Sequence, residues 1–252
     1  MKGHGTENDF VIVPADVDLT AERARALCDR RAGIGGDGVI RATRDEDGRW
    51  FMDYRNSDGS PSEMCGNGIR VYARYLRERE GATFPLEIAT RSGIKVLTED
   101  GDGFTADLGS PRVLGETKVS VGDRSWPATH VDVGNPHAVA FVDDLADAGR
   151  LLDPPVHDEV LYPDGVNVEF VVRRAERHVA MRVHERGSGE TRSCGTGACA
   201  VMVAAAVADG ASRPATYTVD VPGGTLTIEW TEDDRLLMTG PAVIVARGTT
   251  DL

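Results

Sequence analysis

Cys194 stands in "GETRSCGTGACAVMVAA", between a polar loop and an apolar run, with one glycine directly after it and another two residues further on. Cys65 stands in the same setting, in "MCGNGIRVYA". Both read Cys-Gly-x-Gly followed by a mostly apolar stretch, which places each thiol at the mouth of a helix. Unsatisfied backbone N–H groups and the positive end of the helix dipole gather there. A thiol pKa of about 8.5 is expected to fall in such a place, giving a usable thiolate near neutrality. The N–H groups of Gly66 and Asn67, and of Gly195 and Thr196, are placed to bind a carboxylate, with glycine letting the backbone come close to it. If two such thiols flank one carbon, one can take a proton from one face while the other returns one to the opposite face. That inverts a stereocentre, and a thiol suits the work because its pKa lies near working pH.

Other readings of two cysteines are a structural disulfide, a thiol redox pair and a metal site. The four cysteines are spaced by 37, 129 and 5 residues and contain no CxxC pair, which disfavours a disulfide framework and structural zinc. Cys28, in the helical stretch "LTAERARALCDRRAG", and Cys199, inside the apolar run, read as core residues.

The elements that would position the thiols recur across the chain. Cys65 and Cys194 are 129 residues apart. Asn8 and Asn135 are 127 apart, Asp37 and Asp164 are also 127 apart, and Pro111 and Pro241 are 130 apart. Four matches in one order at nearly one offset indicate a tandem duplication of a domain. Before each thiol comes a strand-like segment, "RWFMDYRN" (Arg49–Asn56) and "HVAMRVHE" (His178–Glu185), ending nine residues before its cysteine. Turn-rich loops follow, "SDGSPSE" and "RGSGETR". The helix after Cys65 is expected to stop at Gly81, and the one after Cys194 at Gly210. The second is apolar on every side over its first three turns, as a helix at the centre of a domain would be. The expected fold is therefore α/β of the α+β type. It has two pseudo-symmetric domains, each a mostly antiparallel sheet wrapped around a central helix. Residues 1–111 with 241–252 form the half that carries Cys65, and residues 112–240 the half that carries Cys194.

The chain has 252 residues and a net charge of −13, from 41 acidic and 28 basic residues. That excludes a nucleic-acid surface and docking to anionic lipid. "MKGHGTENDFVIV" lacks the apolar core of a secretory signal, and the run Ala198–Ala208 is too short to span a bilayer, so the expected location is cytoplasmic. "GIGGDG" (Gly33–Gly38) fits a dinucleotide fingerprint in letters only. A helix candidate precedes it and the strand-like "VIRA" follows, the reverse of the required order. No lysine sits in a pyridoxal phosphate motif, and no cofactor and no metal are expected.

In order along the chain stand "GHGTENDF", "GIGGDG", "YRNSDGSPSEMCGNGIR", "GNPH", "DGVNVEFV", "HERGSGETRSCGTGA", "VPGG" and "TGPA". Over nearly its whole length the sequence resembles the diaminopimelate epimerase family. The resemblance implies cofactor-independent epimerisation of LL-diaminopimelate to the meso form, a step toward lysine and peptidoglycan, by a homodimer. It implies Cys65 and Cys194 as the paired acid and base, with His137 and Glu185 tuning their protonation. Gly66, Asn67, Gly195 and Thr196 would hold the reacting α-carboxylate. Asn8, Asn56, Asn135, Asn167, Glu185 and Arg186 would complete the substrate site, chiefly at the distal amino-acid head, where a guanidinium can fork onto a carboxylate. The chain departs from many members in having Glu7 where they have glycine and Gly38 where they have glutamine, so position 38 has no side chain with which to contact substrate. Other readings are a proline racemase of the same fold and a non-enzymatic amino-acid-binding protein.

Overall fold

The structure, a computed structural model, describes all residues from Met1 to Leu252. The chain divides into two compact units, Met1–Asp107 with Thr239–Leu252, and Leu108–Met238. The first contains β1 (Lys2–Gly5), β2 (Asn8–Val13), α1 (Ala21–Cys28), β3 (Gly38–Arg44), β4 (Trp50–Asn56), α2 (Gly66–Glu80), β5 (Leu86–Thr90), β6 (Gly93–Asp100) and β7 (Gly103–Asp107). Strands β1 and β2 pair antiparallel, β2 and β3 parallel, β3 and β4 antiparallel, and β4 and β5 parallel. An antiparallel meander from β5 to β7 completes the run.

The second unit repeats the plan with β8 (Arg112–Val121), β9 (Arg124–Asp132), β10 (Pro136–Phe141), β11 (Asn167–Ala175), β12 (His178–Glu185), β13 (Gly189–Thr191), α3 (Gly195–Ala208), β14 (Ala215–Val221) and β15 (Gly224–Trp230). Here β9 and β10 pair antiparallel, β10 and β11 parallel, β11 and β12 antiparallel, and β12 and β14 parallel. Strand β16 (Leu236–Pro241) runs into the last strand, β17 (Val243–Ala246), which pairs antiparallel with β1. The registers correspond: Val39 faces Arg55 across β3 and β4, and Val168 faces His184 across β11 and β12. The sheets are mostly antiparallel, with the parallel pairs at matching places in each unit.

The helices after the two cysteines are the cores of their units. In α2, Ile69, Val71, Tyr72, Ala73 and Leu76 have no solvent exposure. In α3 every residue from Gly197 to Ala206 is buried. Burial of each large aliphatic side chain stabilises by roughly 1.5–3 kcal/mol, and the many alanines of α3 let the surrounding strands approach it closely. The charged end of α2 leaves the core and stops at Gly81, whose φ of 66° is the left-handed conformation of a helix C-cap. Helix α3 stops two residues before Gly210, at Ala208. Asp209 caps it, a carboxylate at the negative end of a dipole. Arg173, at 2.8 Å, and the Tyr217 hydroxyl, at 2.6 Å, offset that charge.

Candidate active site

Cys65 has extended backbone (φ −136°) and is the N-cap of α2; its sulfur accepts from the N–H of Gly68 at 3.4 Å. Cys194 is the N-cap of α3 in the same way (φ −119°), its sulfur accepting from the N–H of Gly197 at 3.4 Å. Each sulfur therefore sits against the N–H of the third helical residue, the place a serine or aspartate side chain commonly takes.

The second glycine of each Cys-Gly-x-Gly serves packing under the thiol. A Cβ on Gly68 would lie 3.0 Å from Met52 Cε and 3.3 Å from Phe10 Cε1. A Cβ on Gly197 would lie 2.8 Å from Glu169 Oε1 and 3.3 Å from the Cys194 sulfur. Gly197→Ala is accordingly expected to lose about 1–3 kcal/mol of stability, the usual range for overpacking a filled core. Urea titration measures it, and an unchanged midpoint would show that Glu169 can move aside at no cost.

Around Cys65 the first unit builds a relay of amides. The thiol lies 3.5 Å from Asn8 Oδ1, which also accepts from Asn67 Nδ2 at 3.3 Å. Asn67 Oδ1 accepts from Arg70 Nη2 at 2.8 Å and from the Thr6 hydroxyl at 3.4 Å. Asn8 Nδ2 donates to Asp37 Oδ2 at 2.7 Å. A guanidinium can only donate and an ionised carboxylate can only accept. Arg70 and Asp37 therefore fix the direction of both amides, and the oxygen of Asn8 must face the thiol. Arg70 has no solvent exposure, and its Nη1 also donates to Gly66 O at 3.0 Å. The side chain of Asn67 is thus a support for Asn8. The Asn56 amide donates to the Ser60 hydroxyl at 3.1 Å, within the turn that follows β4. Gly38 is packed against the Tyr54 ring and lies under Arg55 O, where a Cβ would meet that oxygen at 2.5 Å. Tyr54 occupies the space a longer residue at 38 would need.

The second unit surrounds Cys194 with acids. Glu185, at the end of β12, is within hydrogen-bond reach of the thiol and accepts from the Thr191 hydroxyl. The Thr196 hydroxyl lies 3.6 Å from the sulfur. His137, on β10, has its Nδ1 2.7 Å from Glu169 Oε1 and its Nε2 3.0 Å from Asn135 Oδ1. Asn167 bridges strands: its Nδ2 donates to Pro136 O at 3.2 Å and its Oδ1 accepts from the N–H of Arg186 at 2.9 Å. Arg186 is exposed, and its Nη1 donates to Asp164 O at 3.2 Å.

The helix mouth was expected to lower the thiol pKa. For Cys194 the structure reverses that direction. Burial pushes the thiol well above its ordinary value, and the nearby Glu185 and Glu169 carboxylates push it further. The N–H of Gly197 and the hydroxyl of Thr196 pull the other way and do not prevail. Burial also raises the carboxyl of Glu185. Burial and the neighbouring carboxylates together favour the protonated thiol of Cys194 over its thiolate.

All four cysteines are free thiols. Cys28 lies in a cluster with Val11, Leu19, Leu27 and Val39, where burial raises it to about 11, and Cys199 has no exposure; both are packing residues. No three His, Cys, Asp or Glu side chains cluster to hold a metal ion, and no helix is long and apolar enough to cross a membrane. Asp37, Arg70, Thr6 and Glu169 were not singled out for a role by sequence. All four lie inside the motifs that carry the family resemblance, and Asp37 left a further signal through its echo at Asp164.

The duplicated fold is shared with solved structures. A phenazine biosynthesis protein of the PhzF family from Bacillus anthracis superposes with a TM-score of 0.74 at 19% identity, covering 97% of this chain and 96% of its own. A hydroxyproline epimerase from Agrobacterium vitis, solved with trans-4-hydroxy-L-proline, superposes with a TM-score of 0.66 at 16% identity over 98% and 88%. The chain is thus an α+β protein that shares the duplicated fold of these structures and carries a helix-capping thiol in each half. Residues 1–114 and 129–245 match the profile of the diaminopimelate epimerase family. A diaminopimelate epimerase of Streptomyces coelicolor is 57% identical over all of this chain and 94% of its own length. The chain belongs to the diaminopimelate epimerase family and is an isomerase.

Proposed function

We propose that the protein interconverts LL- and meso-diaminopimelate without a cofactor, using Cys65 and Cys194 as the two acid–base groups. The observation that carries this reading is the matched pair of helix-capping thiols, one in each unit, set in unlike surroundings. In the direction in which Cys194 donates, the Cys65 thiolate removes the α-proton: the C–H bond breaks, an S–H bond forms, and the electron pair moves onto the α-carboxylate. The N–H groups at the helix starts, Gly66 and Asn67 with Gly195 and Thr196, stabilise that charge; a single well-placed donor of this kind contributes roughly 2.7–4 kcal/mol in known enzymes. Cys194 then gives its proton to the opposite face of the carbon. The reverse direction exchanges the roles. His137 and Glu185 govern the protonation of the thiols, and Glu185 also contacts substrate. Asn8, Asn56, Asn135, Asn167 and Arg186 line the rest of the site, with the exposed Arg186 guanidinium meeting the distal carboxylate. The enzyme works in the cytoplasm on a free amino acid that serves lysine and peptidoglycan synthesis, as a homodimer.

Incubation with LL-diaminopimelate in deuterated water, under reducing conditions and with no added cofactor, tests the reading. The expected product is the meso isomer with deuterium at one α-carbon. If reduced, folded protein leaves the substrate unexchanged while racemising proline, the substrate assignment is wrong; if it exchanges neither, the chemistry is wrong.

A further inference from the structure

The two units share a framework, and the register shows where they differ beneath the thiols. Across β2 and β3, Phe10 stands opposite Gly38 and Ile12 opposite Ile40. Across β10 and β11, His137 stands opposite Asn167 and Val139 opposite Glu169. By register His137 takes the place of Phe10, and Glu169 the place of Ile40. All four side chains have no solvent exposure. The framework is therefore content with an apolar pair at these positions. Taking a carboxylate and an imidazole out of water costs desolvation, and hydrocarbon of similar volume is commonly as good or better for stability. Such a pair, in place of hydrocarbon, points to chemistry rather than to folding.

Glu169 is aimed at that chemistry. Its Oε1 lies 2.7 Å from His137 Nδ1, while its Oε2 is buried and makes no hydrogen bond. Oε1 also lies against Gly197, the residue whose N–H holds the Cys194 sulfur. An ionised carboxylate only accepts, so the Nδ1 of His137 must carry a proton toward it. The proton count at Nε2 then decides the Asn135 contact. With Nε2 bare, the amide nitrogen of Asn135 must face the ring and its oxygen faces outward. With Nε2 protonated, the oxygen faces the ring and the amide nitrogen faces outward.

We propose that Glu169 is a positioning residue of the Cys194 half-site, one that locks the His137 imidazole and, through it, sets which end of the Asn135 amide is offered to substrate. This rests on the epimerase reading above. Groups from each neighbouring element bear on the same centre. Glu169 comes from β11, His137 from β10, Glu185 from β12 and Thr196 from α3, with His130 of β9 adjoining His137. The Glu169 charge also adds to that of Glu185 in keeping Cys194 protonated.

Glu169→Gln keeps the size and one acceptor but removes the charge. Its kcat and KM for diaminopimelate are measured across pH. The ultraviolet absorbance of the Cys194 thiolate is titrated in a Cys65→Ser background with and without the substitution. The expected result is a kcat lower by about tenfold or more, a basic limb of the pH profile moved to lower pH, and a Cys194 thiolate that appears at lower pH. Glu169→Ile, which copies the first unit, is expected to remain folded by circular dichroism and to lose kcat at least as much. The proposal is overturned if Glu169→Gln keeps the wild-type kcat, pH profile and thiolate titration. It is overturned equally if the variant loses only thermal stability while these three readouts hold. Should the wild-type protein fail to epimerise diaminopimelate, the functional reading falls, while the thiolate titration still decides the place of Glu169.

Discussion

Cys194→Ala is expected to stop inversion while leaving exchange of the α-proton at one face. The Cys65 thiolate can still take the α-proton of the isomer presented to it, and the helix N–H groups still hold the charge that develops. No donor then stands on the other side. The proton on Cys65 exchanges with solvent and returns to the face it left. In deuterated water the starting isomer should gain deuterium with retained configuration, while epimerisation falls by roughly 10³-fold, within the range for losing a positioned acid or base. Cys65→Ala should stop inversion as well, but because Cys194 is held protonated near neutrality, its exchange, confined to the other isomer, should be slow there and should rise as pH climbs toward the raised Cys194 pKa. Chiral chromatography with mass detection separates retained from inverted product. Inversion near the wild-type rate in either variant would remove that thiol from the reaction. The wild-type pH profile has a sign that follows from the structure. Burial and two carboxylates raise the Cys194 thiol, so the donor form is complete at neutrality and is lost only as pH climbs through the raised pKa. Turnover in the direction that uses Cys194 as donor declines there. Stability declines from a lower pH: the contribution is complete below the unfolded thiol value, falls as pH climbs from there, and is gone once pH has passed through the raised folded pKa.

The repeat, the strands before each thiol and the central helices were legible because they rest on local patterns. Strand β12 begins and ends at His178 and Glu185, as its alternation indicated, and Gly81 caps α2 as its position indicated. Gly210, with φ 60°, turns the chain left-handed directly after the Asp209 cap and ends α3 much as its position indicated, whereas the binding of the Asp209 carboxylate by Arg173 and Tyr217, distant in sequence, was not legible. The direction of the Cys194 pKa was not legible for the same reason. A helix mouth is a local feature, whereas Glu169 reaches the thiol only once β11 is laid beside β10. Asn67 was read as binding through its backbone N–H and Asn167 through its place in a motif; what neither reading could supply is that the Asn67 amide holds Asn8 and the Asn167 amide bridges Pro136 to Arg186. Sequence supplies a residue's type and motif, and only packing reveals which of its hydrogen bonds are already committed.

Arg70→Met is expected to damage both the stability of the first unit and proton transfer at Cys65. Methionine fills much of the same space but donates nothing. Gly66 O, Asn67 Oδ1 and Pro241 O, which the guanidinium meets at 3.0, 2.8 and 3.5 Å, would lose that donor in a buried place. Leaving buried acceptors short costs roughly 1–3 kcal/mol each, offset in part because a buried charge also disappears. A net loss of about 3 kcal/mol would lower the melting temperature of a chain this long by about 6–12 °C. The effect on catalysis has a separate cause. Arg70 is the obligate donor that turns the Asn67 oxygen inward, so that its nitrogen meets Asn8 and the Asn8 oxygen meets the thiol. Without it the Asn67 amide can turn and withdraw its N–H from the Asn8 oxygen. Asp37 still directs that oxygen toward Cys65, but the oxygen is left with the thiol as its sole donor, which alters the balance of thiol and thiolate and so the two directions of the reaction. A double-mutant cycle of Arg70→Met with Asn8→Ala, read as kcat in each direction, separates the two causes. If Arg70 acts through the amide relay, the catalytic effects are strongly non-additive, with a coupling on the order of 0.5–3 kcal/mol. Additive losses of kcat would mean that Arg70 only supports the core beneath α2. In the second unit the residue at the same offset is Cys199, which cannot donate in this way, and there the task of fixing a site amide falls to the His137 and Glu169 pair.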